Sequence, residues 1–453
     1  MATPVGITLL GCGIVGSGVI RILNEQRELL QRRTGLVFEI RHVVVRDLEK
    51  HKAQSSILPF TTDVDSALND PRVTLVVELM GGVEEAGAYV EKALRIGTPV
   101  ITANKSLLAQ RGPELFALAR QNDTCIAFEA SCGGGIPIIG AISQGLIANR
   151  IDALVGIVNG TCNVILTRMT KNGWSYAQAL AEAQKSGFAE ADPTLDISGR
   201  DAAQKLALLA SLAFNVRISE RDIYVEGIEA IQPQDIAFAR DLGYVIKLLV
   251  IAQRDALGGM LDGATDRAPD SDRISLRVHP TLVHQSDVLA DVSGSFNAIS
   301  VYGNALGHTS FYGRGAGQMP TASAVVSDMI SVALGTTPLA FEQLKIYPDT
   351  TPAADVLPFE QLETRYYLRL SARDVPGVLA EVAEALGRNG ISLSAVLQRE
   401  SEIGQHVPVV ITTHKAREGS MRAALTAIDR LKTVEPPTVC LRILDQPKEF
   451  NGA

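Results

Sequence analysis

Glu190, Asp192, Asp196, Asp201 and Lys205 fall within sixteen residues, in GFAEADPTLD (187–196), GRD (199–201) and the helix that follows. Asp201 and Lys205 are four apart, so they share one helix face. An exposed pair at that spacing contributes only about 0.3–0.5 kcal/mol. The rest of the helix argues for more, because Leu206 to Phe214 holds a single polar residue, Ser211. Such a helix is buried on most sides, and Lys205 shares its face with Leu208, Leu209 and Leu212. Partial desolvation lowers a lysine's pKa and suits proton transfer. Asp192 and Asp196 flank Pro193 and could equally cap a helix there. A second lysine, Lys105, closes Thr102-Ala103-Asn104-Lys105 after a predicted strand at Pro99–Ala103. Open parallel sheets bind ligands at that end of their strands. Two cations of this kind suit chemistry that builds negative charge on an oxygen.

These residues need a scaffold, and the first third of the chain supplies one. Val5–Leu10, Phe38–Val45, Thr74–Leu79, Pro99–Ala103 and Cys125–Glu129 read as buried strands; Val15 to about Arg32, Val83–Ile96 and Glu114–Gln121 read as helices. Strands alternating with helices imply βαβ units and a parallel sheet. Gly11-Cys12-Gly13-Ile14-Val15-Gly16 fits G-x-G-x-x-G between the first strand and first helix, the context that makes the motif a dinucleotide site. Gly11 permits the turn, Gly13 lets a pyrophosphate approach the backbone, and Gly16 lets helix and strand pack closely. After the second strand come Arg46, Asp47 and Lys50. An acidic residue there favours a free ribose hydroxyl and an arginine a 2′-phosphate. Arg46 comes first, which favours NADP over NAD.

The chain has 453 residues with 42 Lys plus Arg against 50 Asp plus Glu, so 42 − 50 gives −8. That balance, with no basic run, argues against nucleic acid or an anionic membrane as partner. No apolar run reaches the roughly 18–20 residues of a membrane span. The five scattered cysteines show neither metal-ligand nor disulfide spacing, so a reducing cytoplasm is the expected compartment. The fold class is α/β: a Rossmann-type domain over 1–132 completed by about 305–340, an α+β substrate and dimerisation domain over 133–304, a Pro-, Thr- and Asp-rich linker over 345–362, and a βαββαβ ferredoxin-like domain over 363–445. Tyr366–Ala372, Ile391–Arg399, Val407–Thr413 and Val439–Ile443 are its predicted strands, and Val378–Asn389 and Glu418–Lys432 its predicted helices.

The segment GFAEADPTLDISGRDAAQKLALLA resembles the signature of homoserine dehydrogenases. So do FEASCGGGIPII (128–139), GIVNGTCNVILTRM (156–169) and YGRGAGQMPTASAVVSDM (312–329). With the glycine motif and TANK, the resemblance covers most of residues 1–340, in the monofunctional form of the family. It implies reversible NAD(P)H-dependent reduction of L-aspartate 4-semialdehyde to L-homoserine, in the aspartate pathway to threonine, methionine and isoleucine. Lys205 would be the general acid, Lys105 would sit on the nicotinamide side and help move the proton, and Asp201 would orient substrate and Lys205. Glu190 would hold the α-amino group, and Asp196 would add a polar contact. Thr102, Asn104 and Gly317 would join the glycine turn at the cofactor. Glu129 with backbone oxygens of Cys132, Gly134 and Ile136 resembles the family's monovalent-cation site, for sodium or potassium; a plain tight turn is the alternative.

Arg373-Asp374-Val375-Pro376-Gly377-Val378-Leu379 resembles the loop of an ACT domain, a sensor of small molecules. Asp374, Pro376, Gly377 and Val378 would bind an effector, threonine being expected, and sheet edges would support a homodimer or homotetramer. Two rivals are a Rossmann dehydrogenase for another aldehyde or hydroxy acid, and a sensor without turnover. The 190–205 cluster and the NGT segment argue against the first, and the two lysines against the second.

Overall fold

The computed structural model describes residues 3–51, 58–255, 273–398 and 405–445. Their contacts form two compact units. The first comprises Met1–Leu154, Ala202–Ile223 and Ser295–Ala354; the second comprises Val155–Asp201, Tyr224–Gly294 and Asp355–Ala453.

The first unit is built on β1 (Thr3–Leu10), β2 (Leu36–Val44), β3 (Phe60–Thr61), β4 (Leu75–Glu78), β5 (Val100–Thr102) and β6 (Ile126–Ala127). They form one parallel sheet in the order β3-β2-β1-β4-β5-β6, which reverses direction at β1 and β4. Such a reversal opens a crevice at the carboxyl ends of the strands. Val5–Leu10 of β1 and all of β4 are buried, and apart from Thr8 and Glu78 they are apolar or glycine, as strands covered on both faces require. The first helix is shorter than its apolar pattern: Ile14–Glu25 stops at Gln26 and Arg27–Thr34 follows. The helix after β5 is longer than expected, Lys105–Gln121. It starts at Asn104, whose Oδ1 accepts the Leu107 N–H at 3.1 Å. The strand β3 was not apparent in the sequence, being only two residues long.

Further along come β7 (Ile151–Ile157), β8 (Tyr224–Val225), β9 (Tyr244–Arg254), β10 (Ile274–His284), β11 (Phe296–Gly303) and β12 (Gly307–Arg314). The last two form an antiparallel hairpin in the first unit. The helix Gln318–Ala333 then returns to the glycine-motif helix, Gln318 donating from Nε2 to Ser17 Oγ at 3.0 Å. Gly18 makes that approach possible, since a Cβ there would lie 2.9 Å from Gln318.

In the second unit, β13 (Glu363–Arg373), β14 (Leu393–Gln398), β15 (His406–Thr413), β16 (Ala416–Arg417) and β17 (Val434–Ile443) alternate with helices Val378–Arg388 and Glu418–Ile428. Arg399, expected to end β14, lies outside the described residues. The sheet order β17-β13-β15-β14 is that of a ferredoxin-like domain, with Tyr366, Leu368, Leu370, Val409, Ile411, Leu386 and Met421 in its core. One edge of that sheet is occupied: β17 pairs in parallel with β10, through Thr281 and Arg442 and through Leu282 and Ile443. β14 ends the sheet on the other side. A buried ion pair fastens the same domain, Arg369 meeting Asp235 from helix Pro233–Asp241 at 2.5 and 3.1 Å. Breaking one partner of such a pair costs about 3–5 kcal/mol.

The residues read as a linker are packed. Arg217 N–H donates to Pro352 O at 2.6 Å, Ile274 N–H donates to Asp355 O at 2.9 Å, and Ile346 and Tyr347 are buried. Its proline and threonine content suits a chain that docks on existing edges without a period of its own.

Lys247 on β9 is buried and donates to Val292 O at 2.6 Å. Burial pushes its ammonium down to about 8. A base whose folded pKa is depressed binds fewer protons folded than unfolded, so stability rises between about pH 8 and the usual 10.5. The rise is on the order of 3 kcal/mol. Thermal unfolding of the native chain and of Lys247→Met across pH 7.5–10.5 should show this rise in the native chain and its loss in the variant.

Candidate active site

In the first unit, the glycine turn opens onto a cavity of about 480 Å³ lined by Gly11, Cys12, Gly13, Arg46, Asp47 and Lys50 among others. That is enough room for a nucleoside portion of a cofactor. Gly11 has φ +94°, and a Cβ on it would sit 2.9 Å from the Leu79 carbonyl oxygen. A Cβ on Gly16 would lie 2.5 Å from the Gly11 carbonyl oxygen, whereas one on Gly13 would meet nothing within 4 Å. Gly13 thus faces open space at the start of helix Ile14–Glu25, where backbone N–H groups favour phosphate. Ile14 is largely exposed there and Val15 half-buried. Arg46 donates to Glu85, and the Asp47 carboxylate accepts the Glu49 N–H at 3.0 Å with Lys50 Nζ 3.9 Å away.

At the ends of β4 and β5 the polar groups are occupied in shaping the loop. Thr102 is fully buried and donates to Glu78 Oε2 at 2.6 Å, while Glu78 Oε1 accepts the N–H groups of Met80 and Gly81. Asn104 donates from Nδ2 to Gly82 O at 2.6 Å. Glu78 was missed from sequence; its only mark is an acid at the end of an apolar strand before Gly81-Gly82. The side chains of Thr102 and Asn104 therefore position Lys105, the first residue of the next helix.

Lys105 and Lys205, a hundred residues apart, are brought together in this unit. Ser106 donates to Gln204 Oε1 at 2.9 Å, which clasps the residue after one lysine to the residue before the other. Both ammonium groups act on the buried Cys132 thiol, which burial nonetheless pushes up to about 12. Cys132 is therefore a neutral thiol. Both lysines are half-buried, the setting expected for Lys205 from its apolar face.

Below them, each carboxylate oxygen of Glu129 accepts a backbone N–H at 2.8 Å, from Ile139 and Gly140. Burial raises its pKa, and that of Asp328, whose Oδ2 accepts the Glu129 N–H at 2.9 Å. Gly133 and Gly134 lie at φ +75° and +54°, and the Ile136 carbonyl accepts the Ile138 N–H at 2.8 Å. A Cβ on Gly134 would lie 2.5 Å from the Gly315 carbonyl oxygen, and Gly135 N–H donates to Arg314 O at 2.9 Å. Two of the glycine segments singled out from sequence thus pack on each other. Gly317, at φ +126°, precedes helix Gln318–Ala333.

The second unit carries the acidic residues. Asn159 donates from Nδ2 to Asp196 Oδ1 at 2.8 Å and to Asp201 Oδ2 at 2.7 Å. Its Oδ1 accepts the Cys162 N–H at 2.8 Å and starts helix Gly160–Asn172. Asn159 was visible only as part of the NGT segment and had no role from sequence. Just before the short helix Thr194–Ile197, the Asp192 carboxylate accepts from Thr194 N–H and Oγ1 at 3.1 and 2.6 Å. Asp196 instead bonds Asn159. Glu190 is exposed, with Gln184 donating to its carbonyl at 3.1 Å. In the ferredoxin-like domain, Gly377 at φ +98° precedes helix Val378–Arg388, Pro376 is exposed, Val378 is buried, and the Asp374 carboxylate accepts from Gln398 at 3.2 Å.

A 3-2-1-4-5-6 sheet with a glycine turn, two converging lysines and an appended ferredoxin-like domain defines a nicotinamide-dependent dehydrogenase with a sensory module. Comparison with known proteins narrows the class. Residues 11–129 match the family described as homoserine dehydrogenase, NAD binding domain; 137–330 match homoserine dehydrogenase, and 366–433 the ACT domain. Homoserine dehydrogenase of Pseudomonas aeruginosa is 40% identical over 444 residues, covering 97% of this chain and 99% of that one. The Synechocystis enzyme is 42% identical over 456 residues, covering 97% and 99%. The crystal structure of a homoserine dehydrogenase from Thiobacillus denitrificans superposes with a TM-score of 0.89 at 40% identity, covering 98% and 99%. The chain belongs to the homoserine dehydrogenase family and is an oxidoreductase. Among the described residues no single helix is long and apolar enough to cross a membrane.

Proposed function

We propose that the chain reversibly reduces L-aspartate 4-semialdehyde to L-homoserine, within the pathway to threonine, methionine and isoleucine. The convergence of Lys105 and Lys205 through the Ser106–Gln204 hydrogen bond carries this proposal. The bound nicotinamide supplies the hydride. Lys205 delivers a proton to the carbonyl oxygen as charge develops there, and Lys105 adds a second cation beside it and helps move the proton. Asp201, one turn before Lys205 on helix Arg200–Phe214, orients substrate and lysine. Asp196 adds a polar contact, Asn159 holds both carboxylates in place, and Glu190 takes the α-amino group. The direct test follows absorbance at 340 nm with homoserine and either NAD or NADP, with and without threonine. Homoserine-dependent reduction supports the assignment; folded protein that binds nucleotide without turnover overturns it in favour of a sensor.

NADP is the proposed cofactor because Arg46 and Lys50 line the nucleotide cavity. Arg46→Ala is expected to raise KM for NADPH about tenfold and leave that for NADH unchanged, as loss of one charge-assisted contact implies. Equal effects on both would remove the 2′-phosphate role. Sodium or potassium fits Glu129 with the carbonyl oxygens of Cys132, Gly134 and Ile136, because a buried carboxylate and carbonyl oxygens form a hard donor set. The ACT loop Asp374–Val378 would hold an amino acid, threonine by proposal, with its carboxylate on the helix N-terminus and its ammonium at Asp374. The β14 edge would serve a homodimer or homotetramer, since β17 is already paired. Five free cysteines suit a reducing cytoplasm.

A further inference from the structure

Asn297, on β11, carries a carboxamide that neither the sheet nor the proposed chemistry uses. The residue is 1% exposed, and its Nδ2 and Oδ1 are both buried without a hydrogen-bond partner among the described residues. Burying a carboxamide in this way is unfavourable, whereas an apolar side chain of similar shape carries no such cost. Native proteins rarely keep such a group merely to fill space.

The strand register shows what the carboxamide meets. Asn297 stands opposite Gly313 in the β11–β12 hairpin, and a side chain there also reaches the diagonal neighbour two residues on. That neighbour is Gly315. A Cβ on it would lie 1.9 Å from Asn297 Nδ2, 2.1 Å from Cγ and 2.5 Å from Oδ1, so the carboxamide fills the place a side chain at 315 would take. Gly315 links two parts of the first unit. On one side its carbonyl group backs onto Gly134, and Gly135 N–H donates to Arg314 O at 2.9 Å, in the turn that carries Cys132. Both lysines act on that thiol. On the other side, Gly317 opens helix Gln318–Ala333, whose first residue donates to Ser17 of the glycine-motif helix. With glycine at 315 and 317, the chain itself restrains this turn poorly. The carboxamide beneath Gly315 supplies a restraint from outside.

We infer that Asn297 is a positioning residue for hydride transfer: its carboxamide sets the height of the Gly315–Gly317 turn, and through that turn the distance between nicotinamide and lysines. The inference rests on the proposed reaction. In the loaded enzyme a small torsional change at Gly315 brings the Gly315–Ala316 peptide into hydrogen bonding with the carboxamide it already touches. An apolar side chain would pack against Gly315 equally well but could not hold the peptide. A misplacement of about 1 Å at a reacting centre costs about a hundredfold in rate, so a restraint of this kind acts on the rate of the chemical step and not on folding.

The test is steady-state oxidation of homoserine by the full chain, beside thermal unfolding, with homoserine deuterated at the hydroxyl-bearing carbon as a second substrate. Asn297→Leu keeps the shape and removes the amide. It is expected to hold or raise Tm, to lower kcat at least tenfold and to enlarge the deuterium isotope effect, which a purely structural residue would leave alone. A folded Asn297→Leu with native kcat and isotope effect overturns the inference. Gly315→Ala should lower Tm and lose at least a hundredfold in kcat, since its methyl group strikes the carboxamide. The double variant Asn297→Ala with Gly315→Ala removes that clash and should regain Tm but not kcat; it decides the matter if Asn297→Leu fails to fold. Recovery of kcat in the double variant would reduce the carboxamide to filling and overturn its role. Absence of turnover in the native chain would instead sink the proposed reaction, and the inference with it.

Discussion

Lys205→Met is expected to lower kcat for homoserine oxidation about a thousandfold while leaving dinucleotide affinity unchanged. A positioned general acid contributes roughly 10²–10⁴ in rate, and a cationic donor at a developing oxyanion a comparable factor. Methionine keeps the length and apolar body of lysine, so the helix Arg200–Phe214, whose Leu206, Leu209 and Ala210 are buried, retains its packing. The nucleotide cavity is lined by residues from the glycine turn, the segments after β2, β3 and β4, and Glu85 and Tyr89, none of them on that helix. Steady-state kinetics with fluorescence titration of NADPH separates the two effects. A variant with native kcat would remove Lys205 from the chemistry; loss of nucleotide binding as well would mark a structural role. Lys105→Met should lower kcat too, and comparison of the two pH–rate profiles would show which lysine carries the proton.

The second large effect is expected from the glycine turn, where two substitutions that look alike should behave differently. Gly16→Ala places a methyl group 2.5 Å from the Gly11 carbonyl oxygen, which lies in the backbone of the turn and cannot swing aside. Overpacking of this kind costs about 1–3 kcal/mol, so Tm should fall and NADPH binding weaken at least a hundredfold. Gly13→Ala meets nothing within 4 Å, so Tm should not change. Its methyl group would occupy space reserved for the pyrophosphate, and NADPH binding alone should fall. Equal loss of Tm in both variants would show that Gly13 is needed for the turn and not for the ligand. Unchanged NADPH affinity in both would place the nucleotide elsewhere.

Much of this was open to direct reading because it rests on local periodicity. Strands β1, β2, β4 and β5 announce themselves as apolar runs between turn residues, and a parallel sheet buried on both faces requires such runs. The G-x-G-x-x-G turn could be read glycine by glycine, since each glycine answers a backbone demand set within a few residues. The βαββαβ order of the last domain followed from the same alternation. The burial of Lys205 was legible too, because the apolar face of its own helix shows that solvent is excluded around it. The two-residue strand β3 and the break at Gln26 left no periodic signal, so neither was readable.

Pairings between distant segments were decided only in three dimensions. Nothing at Ser106 or Gln204 announces their hydrogen bond, and nothing at Glu78 announces that it caps Met80 and Gly81 and receives Thr102. Asn159 shows the same limit: it joins Asp196 and Asp201 only because the start of helix Gly160–Asn172 packs beside the acidic segment. The 345–362 stretch has a linker's composition, yet it docks through backbone hydrogen bonds that composition does not encode. Arg277, His279 and Thr281 drew no notice as sequence; they alternate along β10 and line a cavity beside β17 only because those two strands pair. Residue type and spacing determine which groups can share a face of one element, because helix and strand periods are fixed by backbone geometry. Which faces then meet is set by packing and hydrogen-bond satisfaction across the whole chain, and that information is not local to any segment.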